Sequence, residues 1–99
     1  MPLLILKILA RRGPLHGYGL TTQIENMSED ILRVEEGSLY PALHRMEEAG
    51  WIKAQWITTD NKRRARTYAI CPEGQKQLEI EESRWRAVTR AVGHILRHA

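Results

Sequence analysis

The hydrophobic period of this chain changes twice within 99 residues, and that limits its fold more than any other feature. Up to Gly50 the apolar residues recur at helical spacing. From Trp51 to Ile57 they alternate, with Ile52, Ala54 and Trp56 on one side and Lys53 and Gln55 on the other. Arg66 to Cys71 reads the same way, with Tyr68 and Ile70 sharing a face, and helical spacing returns after Pro72. A segment patterned for a helix cannot bury its apolar set as a strand, because successive strand residues point to opposite faces. The predicted order is three helices, a two-stranded hairpin and a last helix. That is α+β, mostly α: a winged helix-turn-helix with a long C-terminal helix.

The first helix holds Leu3, Leu4, Ile5, Leu6, Ile8 and Leu9, broken only by Lys7. It stops at Ala10-Arg11-Arg12-Gly13-Pro14, where bases precede a Gly-Pro terminator. Periodicity alone also allows a buried strand here; the leucines and the stop favour the helix. A helix apolar on nearly every side needs cover on nearly every side, which points to a second copy. The second helix follows His16-Gly17 and turns Leu20, Ile24 and Met27 inward, with Thr21, Thr22, Gln23 and Glu25 outward. A connection from Ser28 to Glu36 leads to the third helix, from Gly37-Ser38 to about Ala49-Gly50. Its buried stripe is Leu39, Leu43 and Met46. Its outer side carries Pro41, His44, Arg45 and Glu48, with Ser38 and Tyr40 on the flanks. Pro41 is expected in the first turn, where its missing N–H costs no helical bond.

Pro72-Glu73-Gly74 open a final helix of about 25 residues, about 37 Å long at the standard rise. So small a body cannot cover it. Leu78, Trp85, Val88, Val92 and Ile95 form a seam interrupted at Glu81 and Glu82. The expectation is a dimer interface made by this seam with Leu4 and Ile8 of the first helix. Residues 1–71 then form the winged-helix unit and 72–99 the dimerisation helix.

Charge is unevenly distributed. Fifteen Lys+Arg against twelve Asp+Glu leave only +3. Between Lys53 and Arg66, however, stand Lys53, Lys62, Arg63, Arg64 and Arg66 with Asp60 as the one acid. From Glu73 to Glu82 the balance reverses, with Glu73, Glu79, Glu81 and Glu82 against Lys76. Phosphate attracts the first segment and repels the second. A basic hairpin alone decides little, since any exposed turn is polar. The third helix adds a compact polar face at its N-terminal end, the end that recognition helices insert into a major groove. Arg45 suits guanine or a phosphate, Ser38 and Tyr40 suit phosphate oxygens, and Pro41 suits a thymine methyl. His44 reads either as a base contact or as a half-buried flank. Lys62, Arg63, Arg64 and Arg66 would grip the backbone, with Lys53 assisting.

Other classes are poorly served. An apolar content of 42% argues against disorder, and no window offers a membrane span. One cysteine allows no intramolecular disulfide and suits a reducing cytosol; Met1-Pro2 starts no secretory leader, so the expected location is cytoplasmic. There is no G-x-S-x-G, no GxGxxG and no Walker loop, and Cys71 has no evident His partner. No enzyme and no cofactor are expected. His94 and His98 lack a third ligand and read as solvated side chains rather than a metal site.

His16-Gly17-Tyr18-Gly19-Leu20, then Glu36-Gly37-Ser38-Leu39-Tyr40-Pro41-Ala42-Leu43-His44-Arg45-Met46-Glu47, then Gly50-Trp51-Ile52 resemble the PadR family of bacterial transcriptional regulators. Arg64-Ala65-Arg66-Thr67-Tyr68-Ala69-Ile70 and Glu73-Gly74 continue the resemblance, and the single last helix is similar to the short-tailed branch. The resemblance implies a homodimeric repressor of double-stranded DNA at an inverted-repeat operator. It places the third helix in a major groove and the wing near the minor groove or backbone. It also implies an aromatic small-molecule effector stacking on Trp85, beside that residue's plainer role in the dimer seam. Where members commonly carry Thr before the last helix, this chain has Cys71, a weaker cap by about 1 kcal/mol. The alternative function is a winged-helix protein-interaction module that docks an acidic partner and reads no DNA.

Overall fold

The computed structural model describes residues 2–58 and 60–99. Met1, and Thr59 of the expected hairpin turn, lie outside the described residues. The element order is α1 (Pro2–Arg12), β1 (Leu15–His16), α2 (Gly17–Met27), α3 (Glu36–Glu48), β2 (Ile52–Thr58), β3 (Arg64–Ile70) and α4 (Pro72–His98). The winged helix-turn-helix and the long last helix are both present. One strand was not expected: Leu15 and His16 pair with Tyr68 and Thr67, making a three-stranded antiparallel sheet in the order β1-β3-β2. Two residues are too few to show alternation, so no periodicity could have announced it.

α1 closes with Arg11 and Arg12 against its negative C-terminal end and with Gly13 in the left-handed region at φ +80°. Its Ile5, Leu6 and Leu9 meet Leu20 and Ile24 of α2, Leu39, Leu43 and Met46 of α3, Ile52, Tyr68 and Leu78 in one core. Each leucine or isoleucine so buried contributes about 1.5–3 kcal/mol. The inner face of α2 differs from expectation. Thr21 is buried, its hydroxyl donating to the Tyr18 carbonyl at 2.8 Å, which satisfies it inside. Met27 ends the helix exposed, beside Ile8 and Arg11. α2 is capped by His16, whose Nδ1 accepts from the Gly19 N–H at 2.9 Å.

α3 begins at Glu36, which makes Pro41 its sixth residue and puts it in the second turn rather than the first. The helical bond from position 41 to the Gly37 carbonyl is therefore missing. Gly37 is exposed, so that carbonyl is open to water.

α4 starts from Cys71, whose thiol makes no capping hydrogen bond, and Pro72 occupies the first turn. The Cys71 N–H donates to the Trp51 carbonyl at 2.8 Å. Gly74 lies against that same carbonyl so closely that a Cβ would collide with it, and would stand 2.8 Å from Ile70 Cγ1. Lys7 Nζ donates to Glu82 Oε1 at 2.9 Å and ties α1 to α4. Beyond this point nearly every residue is exposed, and the molecule measures 58 × 29 × 22 Å. Ile8 and Leu78, expected at the dimer face, are 6% and 5% exposed and belong to the subunit's own core. Leu78 is covered where the start of α4 packs on α1, whereas Ile8 lies on the α2 side of α1, beside Ile24 and Met27. No helix among the described residues is long and apolar enough to cross a membrane.

Candidate nucleic-acid interface

The outer side of α3 divides into two lines. Ser38, Pro41 and Arg45 follow one another at i, i+3 and i+7, and Tyr40 and His44 run beside them; all five are exposed. Ser38 and Arg45 border a shallow cleft with Arg33, Val34 and Glu35. Arg33 was missed from the sequence because it lies in an aperiodic connection. Its positive charge shortly before the helix start was the only signal. Among the described residues neither Arg33 nor Arg45 is ion-paired.

The second line is more occupied. Tyr40 leans over α2, where a Cβ on Gly17 would come 2.6 Å from its phenol oxygen. Against an expected half-buried flank, His44 is open to solvent, with Nε2 2.6 Å from Glu48 Oε1 and Nδ1 4.0 Å from Glu47 Oε2. Two carboxylates thus stand around it.

The register of the hairpin sorts its charges. Ile52 faces Ile70, Ala54 faces Tyr68, Trp56 faces Arg66 and Thr58 faces Arg64, so these share one side of the sheet. Lys53 faces Ala69 on the other side, apart from Arg64 and Arg66. Trp56 does share a face with Ile52 and Ala54, but it is 58% exposed, because the hairpin runs out beyond the helices that bury Ile52. The Arg64 guanidinium lies 4.9 Å from the Trp56 ring centre. Arg66 lies 6.0 Å from the same ring and 5.8 Å from that of Tyr68. Its Nη2 also donates to Glu47 Oε1 at 2.9 Å. Arg66 therefore joins the wing to α3. At the turn, Lys62 adopts φ +57° and is exposed together with Arg63. Burial pushes the Tyr68 phenol above its ordinary value, opposed by Arg66 and reinforced by Glu47 and Tyr40.

Away from this surface, Trp85, Val88, Val92 and Ile95 form an exposed apolar stripe on α4. Trp85 and Val88 continue into a groove with Pro2, Leu3, Leu4 and Leu32. The hydrogen bond from Lys7 holds the Glu82 carboxyl below its ordinary value. His94 and His98 bring their rings to 4.5 Å, but no group of three or more His, Cys, Asp or Glu among the described residues could hold a metal.

Residues 5–80 match the model of the Transcriptional regulator PadR-like family. The chain is 32% identical over 83 residues to transcriptional regulator Rv3488 of Mycobacterium tuberculosis, a match covering 84% of this chain and 74% of that protein. It is 38% identical over 69 residues to a 37.1 kDa protein in transposon TN4556 of Streptomyces fradiae, covering 70% of this chain but 18% of that longer protein. In structure it is similar to a PadR family transcription regulator from Clostridium difficile R20291, with a TM-score of 0.82, 30% identity and 96% of each chain covered. The family, the mycobacterial relative and the clostridial structure are transcriptional regulators, not enzymes.

Proposed function

The chain belongs to the PadR-like family of transcriptional regulators, and on that footing we propose that it is a cytoplasmic, homodimeric repressor of double-stranded DNA with an inverted-repeat operator. The observation that carries the reading is the line Ser38, Pro41 and Arg45 on α3, accompanied by Arg33 and by a basic wing. Arg33 and Arg45 lack carboxylate partners among the described residues, so their charge is available to phosphate or to a guanine edge. Ser38 and Tyr40 contact phosphate oxygens, Pro41 a thymine methyl, and His44 flanks them. Lys62, Arg63 and Arg64 grip the backbone, and Lys53 adds to the field from the outer face of the hairpin.

Residues 1–71 bind DNA in this reading and 72–99 dimerise. Trp85, Val88, Val92 and Ile95, with Leu4, are covered by the partner. A solvent-exposed apolar stripe of that kind along one helix is what an isologous interface buries. Repression follows from occlusion of a promoter. The groove beside Trp85 admits a planar aromatic molecule, which alters the angle between the two α3 helices and shifts the dimer away from its binding geometry.

Selection of bound sequences from a random duplex pool tests the proposal. The expected product is an inverted repeat. Affinity should fall steeply with salt, Arg63→Ala with Arg64→Ala should flatten that slope, and Arg45→Ala should relax sequence preference. Failure to retain any duplex in dilute buffer overturns it and leaves the wing as a dock for an acidic protein.

A further inference from the structure

Trp56 is a large apolar side chain that the core does not use. It stands on the inner face of the hairpin yet is 58% exposed. Its ring carries two guanidinium groups, and these differ in what else they hold. Arg66 is paired with Glu47 at 2.9 Å, which offsets its charge and fixes it to α3. Arg64, at 4.9 Å from the ring centre, has no ion pair among the described residues and stays exposed at the start of β3.

We propose that Trp56 is a positioning residue for DNA recognition, holding the Arg64 guanidinium over its ring so that the wing presents an already ordered arginine to a minor groove beside the half-site. The inference rests on the DNA-binding reading above and specifies a part of it. An arginine on a bare hairpin loses rotamer freedom when it enters a groove, and that loss opposes binding. Stacking on indole imposes part of the ordering in the free protein. The contact pairs Arg64 with no carboxylate among the described residues, so its N–H donors remain for phosphate, sugar or base acceptors. The Glu47–Arg66–Trp56 contacts extend this ordering to α3, so the two DNA-facing elements keep a common register. A narrow A·T-rich minor groove, with its deeper negative potential, is the segment that such an arginine favours.

A double-substitution cycle on the full chain tests this, using a fluorescein-labelled synthetic duplex with an A·T-rich centre at low salt. Trp56→Ala should weaken binding about two- to fivefold, the range of an exposed cation–π contact. The loss should disappear in an Arg64→Ala background and persist in an Arg63→Ala background. Trp56→Phe should retain part of the affinity. Arg64→Lys, which keeps the charge without the flat guanidinium, should lose what Trp56→Ala loses, and as an exposed substitution it reads the same contact without disturbing the fold. Equal losses from Trp56→Ala in all backgrounds, or Trp56→Ala or Arg64→Lys binding like the original, overturn the inference while the DNA-binding reading stands. An unsubstituted protein that ignores the duplex overturns both.

Discussion

The ring of Tyr40 lies over the backbone of Gly17, so near that a methyl group there would stand 2.6 Å from the phenol oxygen and 3.0 Å from the carbon that bears it. The start of α2 and the outer line of α3 are thereby made to fit one another, although their residues are far apart in the chain.

Gly17→Ala should accordingly carry a sign that depends on Tyr40. With Tyr40 present the new methyl displaces the ring and lowers stability, by about 1 kcal/mol or more for an overpacked contact. With Tyr40→Ala the obstacle is gone and the alanine should be neutral or slightly stabilising, as a better helix former. Urea midpoints of the four proteins check the reversal, and simple additivity would contradict the contact.

Gly74→Ala has no such escape, because the obstruction is the Trp51 carbonyl, part of the backbone. A loss of about 2 kcal/mol is expected, equivalent to about 10 °C in melting temperature for a domain of this size. Calorimetry reads it directly.

The Lys7–Glu82 bond makes stability depend on pH in one direction. It holds the Glu82 carboxyl below its ordinary value of 4.5 in the folded chain. A carboxyl depressed by folding stabilises fully above its unfolded value and loses that contribution as pH falls through the folded one. Unfolding midpoints should therefore decline in acid, and Glu82→Gln should make the decline shallower at pH values below about 4.5. Tyr68 acts at the opposite end. Its pKa is raised from 10.0 mainly by burial, so its contribution is complete below that value and is lost as pH climbs through the folded one.

Val92→Glu puts a carboxylate into the exposed stripe of α4 without touching the subunit core. If that stripe joins two copies, sedimentation should show monomers at concentrations where the original chain is dimeric. Duplex affinity should fall about a hundredfold or more as the second contact is lost.

Core and wing differ in how readable they were. Leu39, Leu43 and Met46 sit at helical spacing, and each is buried as that spacing requires. Ile52 and Trp56 obey the same alternation, yet one is buried and the other is not. Alternation assigns a residue to a side of the sheet; whether anything covers that side depends on how far the helical body extends. Ile8 and Leu78 illustrate the converse. Both lie in apolar stretches that pointed to a partner, but each is buried within its own subunit, Leu78 in the core that α1 shares and Ile8 beside Ile24 and Met27 of α2.

What the linear chain already dictated was the order of its helices and of the two hairpin strands, the cationic hairpin and the overlong last helix, because period and charge are local properties. Neighbours across the fold decided the rest: the Glu47 bond that takes up Arg66, the carboxylates around His44, the ring of Tyr40 over Gly17, and the third strand at Leu15. Such contacts depend on where distant segments meet once the core has closed, and a short-range pattern carries no record of that distance.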